Sequence, residues 1–174
     1  MNTTSEVRFT APDGGDRYGI AGGTYRILVD GAASGGAFAI IEMLVPPGGG
    51  PVPHRHPGFQ ETFVIAEGEV TMRTGRGSFH APTGSTVHIP LDGPVHCFKN
   101  ESDAPAKLLC TVIPAGLDAM FREAGTPLAP GEPAPAPGKP SPDMIAKMRA
   151  LAAKYGQEIF PPDYLDNFNE AEQA

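Results

Sequence analysis

Positive charge is scarce in this sequence. Lys and Arg number 13 against 20 Asp and Glu, for a formal net charge of -7. The few basic residues form no patch interleaved with aromatics, so nucleic acid is not an expected partner, since phosphate contacts need clustered Lys and Arg. Cysteine is also rare, with only Cys97 and Cys110. Two cysteines build no disulfide framework, and two reduced thiols in a cytoplasmic protein are expected. No apolar run approaches 18 residues, so no membrane-spanning helix is expected. The polar stretch from Met1 to Arg8 has none of the apolar character of a signal peptide.

Glycine and proline are abundant, at 22 and 20 residues. They are unevenly placed. Many glycines sit at predicted turns, and many prolines fall between Pro127 and Pro142. Between the turns run short β-type segments: Tyr25 to Val29, Ala37 to Val45, Glu61 to Glu67, Glu69 to Thr74, Ser78 to Pro82, Thr86 to Ile89, Val95 to Asn100 and Ala106 to Ile113. Their spacing and the absence of long helical periodicity before residue 116 predict an all-β fold. Leu117 to Glu123 is predicted helical. Ser141-Pro142-Asp143 opens a second helix, with a capping Ser, Pro at the first turn and an acid near the positive dipole end. Its apolar stripe, Met144, Met148, Leu151 and Tyr155, suits packing on the domain or on a partner subunit. Gly156 ends it.

The chemistry gathers in two stretches. His54-Arg55-His56 follows the run Pro46-Pro47-Gly48-Gly49-Gly50. Alternate residues of a strand share a face, so the two imidazoles point together. Glu61 lies five residues beyond His56. Regular alternation would turn it away, but Pro57-Gly58 breaks the alternation and can reset it. Two imidazoles and a carboxylate are ligands for Zn, Fe, Mn, Ni or Co. The first stretch reads Gly48, five residues, His54-x-His56, four residues, Glu61, six residues, Gly68. The second reads Gly84, five residues to Pro90, then Gly93, two residues to His96, three residues to Asn100.

These two stretches resemble the paired motifs of the cupin superfamily. One departure is visible: Leu91 and Asp92 stand between Pro90 and Gly93, where the family usually has a single residue. The resemblance implies a double-stranded β-helix, or jelly-roll, closed into a cupin barrel, here with a short C-terminal helical extension. The implied organisation is a flexible N-terminal arm at 1–16, a cupin β-barrel domain at 17–124, a Pro/Ala/Gly-rich linker at 125–142, and a C-terminal helix and tail at 143–174. His54, His56, Glu61 and His96 would hold one divalent transition metal ion (Fe, Mn, Ni, Co or Zn).

Four protein ligands leave open positions on a five- or six-coordinate ion. Strand parity proposes Phe63, Ile65, Phe98, Phe38, Ile40 and Met72 as the wall of a substrate pocket. Such a lining suits a small hydrophobic or aromatic organic substrate. His80, His88 and Asn100 are candidates to support the ligands from behind. Cys97, next to His96, faces away. The ligand set resembles the flavonol-cleaving (quercetin 2,3-dioxygenase-like) branch. That branch implies a dioxygenase acting on a hydroxylated aromatic with dioxygen, with Glu61 as ligand and catalytic base. The same ligands also serve isomerases, lyases and polyketide cyclases acting as Lewis acids without oxygen, and a non-enzymatic small-molecule-binding cupin is a third reading. A homodimer is expected, because exposed sheet edges need cover.

Overall fold

The computed structural model describes residues 6–139 and 141–166. Residues 1–5 of the expected arm, Pro140 of the expected linker and residues 167–174 of the expected tail lie outside them. In chain order the elements are β1 (Arg17–Ile20), β2 (Gly23–Val29), β3 (Ala39–Val45), β4 (His54–Arg55), β5 (Gln60–Glu67), β6 (Glu69–Thr74), β7 (Gly77–Pro82), β8 (Thr86–Ile89), β9 (His96–Lys99), β10 (Ala106–Ile113), α1 (Leu117–Ala124), β11 (Thr126–Leu128), α2 (Pro142–Lys154) and β12 (Glu158–Ile159).

The strands form two antiparallel sheets. One has seven strands in the order β11-β1-β2-β3-β10-β5-β8, the other five in the order β12-β4-β9-β6-β7. The closed barrel expected from the sequence is not formed, because neither sheet closes on itself. The corner between β7 and β8 shows why. These strands are consecutive yet belong to different sheets. At the corner, Ser85 N–H donates to Pro82 O within the turn, and Gly84 N–H donates to Ile65 O on β5. Those bonds are spent on the turn and on β5, so no ladder bridges the two edges.

Each strand alternates inward and outward side chains, as the pleat requires. From the larger sheet Ile41, Met43, Phe63, Ile65, Leu108 and Cys110 face inward, and Val70, Met72, Ala81 and Phe98 face them from the smaller one. Phe63 and Phe98 meet edge to face across the gap, with ring centroids 5.5 Å apart. Burying each such ring contributes roughly 2–3 kcal/mol.

α1 closes one end. Its Phe121 ring lies 4.5 Å from Tyr25. Its buried Asp118 accepts from the N–H groups of Gly31 and Gly116 and pairs with Arg122. α2 begins as the sequence indicates, with Ser141 Oγ accepting from Met144 N–H. Only its C-terminal half is buried, through Leu151 and Ala152, while Met144 stays exposed. The helix is tied to α1 by Lys154 and Tyr155, both bonded to Glu123.

Candidate metal centre

Three strands and one loop bring the polar cluster together. Glu61 faces inward from β5, held between β10 and β8 through the register pairs Val112↔Glu61 and Glu61↔Ile89. His96 opens β9, and His54 opens β4 directly opposite it. His56 follows β4 in the loop containing Pro57-Gly58, stacked on Phe59 at 4.2 Å. The extra residue between Pro90 and Gly93 is absorbed by a turn in which Asp92 takes φ 53° and Gly93 N–H donates to Pro90 O. That turn delivers Pro94 and then His96.

One donor atom from each of His54, His56, Glu61 and His96 lies within 4.8 Å of the other three. All four residues are between 1 % and 8 % exposed, with His54 the least covered. The hydrogen bonds behind the rings fix their tautomers. Nδ1 of His54 lies 2.9 Å from Val52 O, Nδ1 of His56 2.8 Å from Phe59 O, and Nδ1 of His96 3.0 Å from Pro94 O. A carbonyl only accepts, so each Nδ1 carries the hydrogen and the neutral ring turns an Nε2 lone pair to the centre. Backbone carbonyls orienting ligand histidines in this way are a regular feature of metal sites.

The donor set fits a cation. Nε2 of His56 is 2.9 Å from Glu61 Oε2, and Nε2 of His96 is 3.7 Å from the same oxygen. Lone pairs this close to a carboxylate repel unless a positive charge lies among them. Among the described residues, Nε2 of His96 is a buried nitrogen with no hydrogen-bond partner. A buried polar atom left unbonded costs about 1–3 kcal/mol, and a divalent ion would engage it.

The ionisation tendencies of the bare cluster agree. Without an ion, a proton on His56 Nε2 takes the place of the positive charge: burial would raise the Glu61 carboxyl, but the bond from His56 and the closeness of the His96 and His54 imidazoles outweigh it and bring the group down to about 2. Burial, with the charge of His96, lowers His54 to about 4. Burial also lowers His56, yet the bond and charge of Glu61 override it and leave the ring above its ordinary value.

Cys110, which the sequence reading left without a role, lies at the second carboxylate oxygen. Its Sγ is 3.6 Å from Glu61 Oε1. Burial, then the Glu61 charge, pushes this thiol well above its usual range. Its alternation with Leu108 and Val112 would have placed it inward. Its nearness to Glu61 depends on the register that sets Cys110 opposite Phe63.

The other candidates divide. Phe63, Ile65, Phe98 and Met72 face the interior, Phe63 two residues along β5 from Glu61 and Phe98 two residues along β9 from His96. Ile40 does not: β3 turns Ala39, Ile41 and Met43 inward, so Ile40 lies on the outer face opposite Thr111. Phe38 precedes β3, and its backbone is engaged by Ser34 Oγ. His80 is on the outer face of β7, 3.4 Å from Glu69. His88 bonds Thr62 on the outer face of the larger sheet. Asn100 is fully buried but braces backbone, donating to Val45 O and Ala104 O and accepting from Ser102. None of these three touches the cluster. Cys97 lies on the face of β9 opposite His96 and Phe98, where it is buried, and both cysteines are free.

Residues 41–112, which contain the whole cluster, match the family described as Cupin domain. Over these residues the chain is similar to that family. Among curated proteins, this chain is 28% identical over 113 residues to quercetin 2,3-dioxygenase of Bacillus subtilis strain 168, covering 65% of this chain and 33% of that protein. It is 32% identical over 76 residues to an uncharacterized protein of Methanocaldococcus jannaschii, covering 44% of this chain and 60% of that one. The chain thus spans a third and three fifths of these relatives. Among solved structures, an RmlC-like cupin from Shewanella frigidimarina superposes with a TM-score of 0.55 at 16% identity, covering 66% of this chain and 96% of that chain. That likeness establishes the shared fold. No helix among the described residues is long and apolar enough to cross a membrane.

Proposed function

We propose that this protein is a metal-dependent enzyme that polarises an oxygen of a small, mainly apolar organic substrate and moves a proton on it, in an isomerisation, elimination or cyclisation that uses no oxygen. The observation that carries the proposal is the convergence of three tautomer-fixed Nε2 atoms on the Glu61 carboxylate in a buried site. When bound, a divalent ion supplies a Lewis acid with positions open to substrate oxygen. His54, His56, His96 and Glu61 would hold it.

Glu61 also serves as the acid/base group. Cys110 engages one lone pair of its Oε1, and a proton taken from substrate would pass to the other lone pair of that oxygen. Phe63, Phe98, Met72 and Ile65 exclude water from beside the cluster, which strengthens every charge interaction within it. Reactions of this class need no co-substrate, and the groups they require are those the chain assembles.

A second reading is an oxygen-dependent ring cleavage of a hydroxylated aromatic. The Bacillus relative named quercetin 2,3-dioxygenase favours it, at 28% identity. In that case Glu61 would take the proton of the substrate hydroxyl. Turnover of a panel of hydroxyketones, enols and flavonols, each under air and under argon, decides between them. Equal rates in both atmospheres support the proposal. Turnover that consumes oxygen and stops under argon overturns it for the second reading.

A further inference from the structure

His54 is held differently from the other ligands. Glu61 and His96 stand on strands paired along both sides, and His56 is stacked on Phe59. His54 sits on β4, a strand of two residues that meets β9 at the one register pair His54↔His96. A strand that short does not hold itself in place. The preceding loop is anchored at its far end, where Gly48 N–H donates to Asn100 O and Asn100 N–H donates to Gly49 O.

At its near end the partner comes from the far end of the chain. β12 pairs antiparallel with β4, setting Ile159 opposite His54 and Glu158 opposite Arg55. Phe160 N–H donates to Pro53 O at 2.9 Å. Arg55 grips Glu158 with two bonds, 2.8 Å from Nε to Oε2 and 3.1 Å from Nη2 to Oε1, across 103 residues of sequence. The segment is fastened on both sides. Before it, Lys154 and Tyr155 bind Glu123. After it, Leu165 is buried and Asp166 pairs with Arg73.

We propose that β12 is a strap that positions His54, so that the C-terminal extension of this chain sets the metal affinity of the site. The inference rests on the metal-binding reading above. The strap completes the ladder on the open side of β4 and fixes the backbone on both sides of the ligand. Release of the strap leaves His54 on a strand end joined at a single pair, and the site falls toward a set of three donors. The roles are separable: His54 touches the ion, whereas Glu158, Ile159 and Phe160 act through it as positioning residues.

The test uses the full chain and Co(II), with affinity from chelator competition and the visible spectrum of the bound ion as a second readout. Phe160→Pro removes the N–H that Pro53 O accepts, and Phe160→Ala keeps it. Loss of a group that orients a ligand typically costs 10–100-fold in metal affinity. Phe160→Pro is therefore expected to weaken Co(II) binding by about 10–100-fold and to shift the spectrum toward that of His54→Ala. Phe160→Ala is expected to stay within about threefold of wild type. Arg55→Glu and Glu158→Arg, both on half-exposed side chains that carry no core packing, are each expected to weaken binding by roughly two- to fivefold. The double exchange restores it.

Co(II) affinity and spectrum unchanged in Phe160→Pro and Arg55→Glu would overturn the strap while leaving the metal centre standing. So would an equal loss in Phe160→Ala and Phe160→Pro, which would assign the effect to the aromatic ring. A wild-type protein that binds no Co(II) would overturn the metal reading and the strap with it.

Discussion

The loop leading to His54 allows a graded test of the packing that holds the centre. Gly50 has φ 142°, and a Cβ there would lie 2.0 Å from Phe98 O, more than an ångström inside ordinary contact. Both atoms belong to backbone, so neither can swing aside. A side chain in so sparsely populated a backbone region costs about 1–3 kcal/mol, and forcing extra atoms into a packed site about 1–3 kcal/mol more. Gly50→Ala is therefore expected to destabilise the protein by roughly 3–5 kcal/mol, a large part of the roughly 5–15 kcal/mol of a typical domain.

Two neighbours serve as controls. Gly48 has φ 73° with nothing within 4 Å of its would-be Cβ, so Gly48→Ala should cost about 1 kcal/mol from conformation alone. Gly58 has neither a positive φ nor a neighbour within 4 Å, and Gly58→Ala should stay within about 0.5 kcal/mol of wild type. Urea midpoints at constant slope read all three. Because the collision sits between the loop before His54 and the strand of His96, Gly50→Ala should also weaken Co(II) binding. A Gly50→Ala protein within about 1 kcal/mol of Gly48→Ala, on the scale those backbone costs set, would refute the reasoning.

Three further outcomes are expected. Glu61→Gln keeps the shape of the side chain but removes its charge, and should lower turnover more than metal content; unchanged activity would remove Glu61 from the acid/base role. In the metal-free protein, Glu61 and His54 have folded values below their ordinary ones. The unfolded chain therefore takes up protons that the folded chain refuses, and stability falls as pH drops from about 6.5 toward 2. His56, with a raised value, contributes stability at low pH that is lost as pH rises through its folded value, so it partly offsets His54. The net loss should steepen below about pH 4.5, where Glu61 begins to bind protons in the unfolded state; a urea midpoint constant from pH 7 to 3.5 would contradict this. Cys110, fully buried and with a raised thiol pKa, should resist alkylation at pH 8 until the protein unfolds, as mass spectrometry of the labelled chain would show.

Much of the centre was legible in the sequence because its ligands follow a linear rule. His54 and His56 share a face by alternation, and Pro57-Gly58 does reset the parity, since Glu61 points to the same centre. The phase of β3 was in the sequence but was not read from it: Glu42 shares the parity of Ile40 and alternates with Ile41, Met43 and Val45, and the structure sets Ile40 on the outer face with it. Closure was not legible, because it depends on where the corner at Pro82 to Ser85 sends its hydrogen bonds. Cys110 and β12 escaped notice for a common reason: their relation to the ligands is a matter of register between strands far apart in sequence, and no local pattern records it.

The most direct test of the account is the metal content of the purified protein, measured by elemental analysis for the wild type and for His56→Ala after loading with Zn, Fe, Mn, Ni or Co and exhaustive dialysis. The account expects one ion per wild-type chain and a near-complete loss in His56→Ala, with the circular dichroism of the two proteins alike. Full occupancy in His56→Ala, or a wild-type chain that retains none of the five metals, would contradict it.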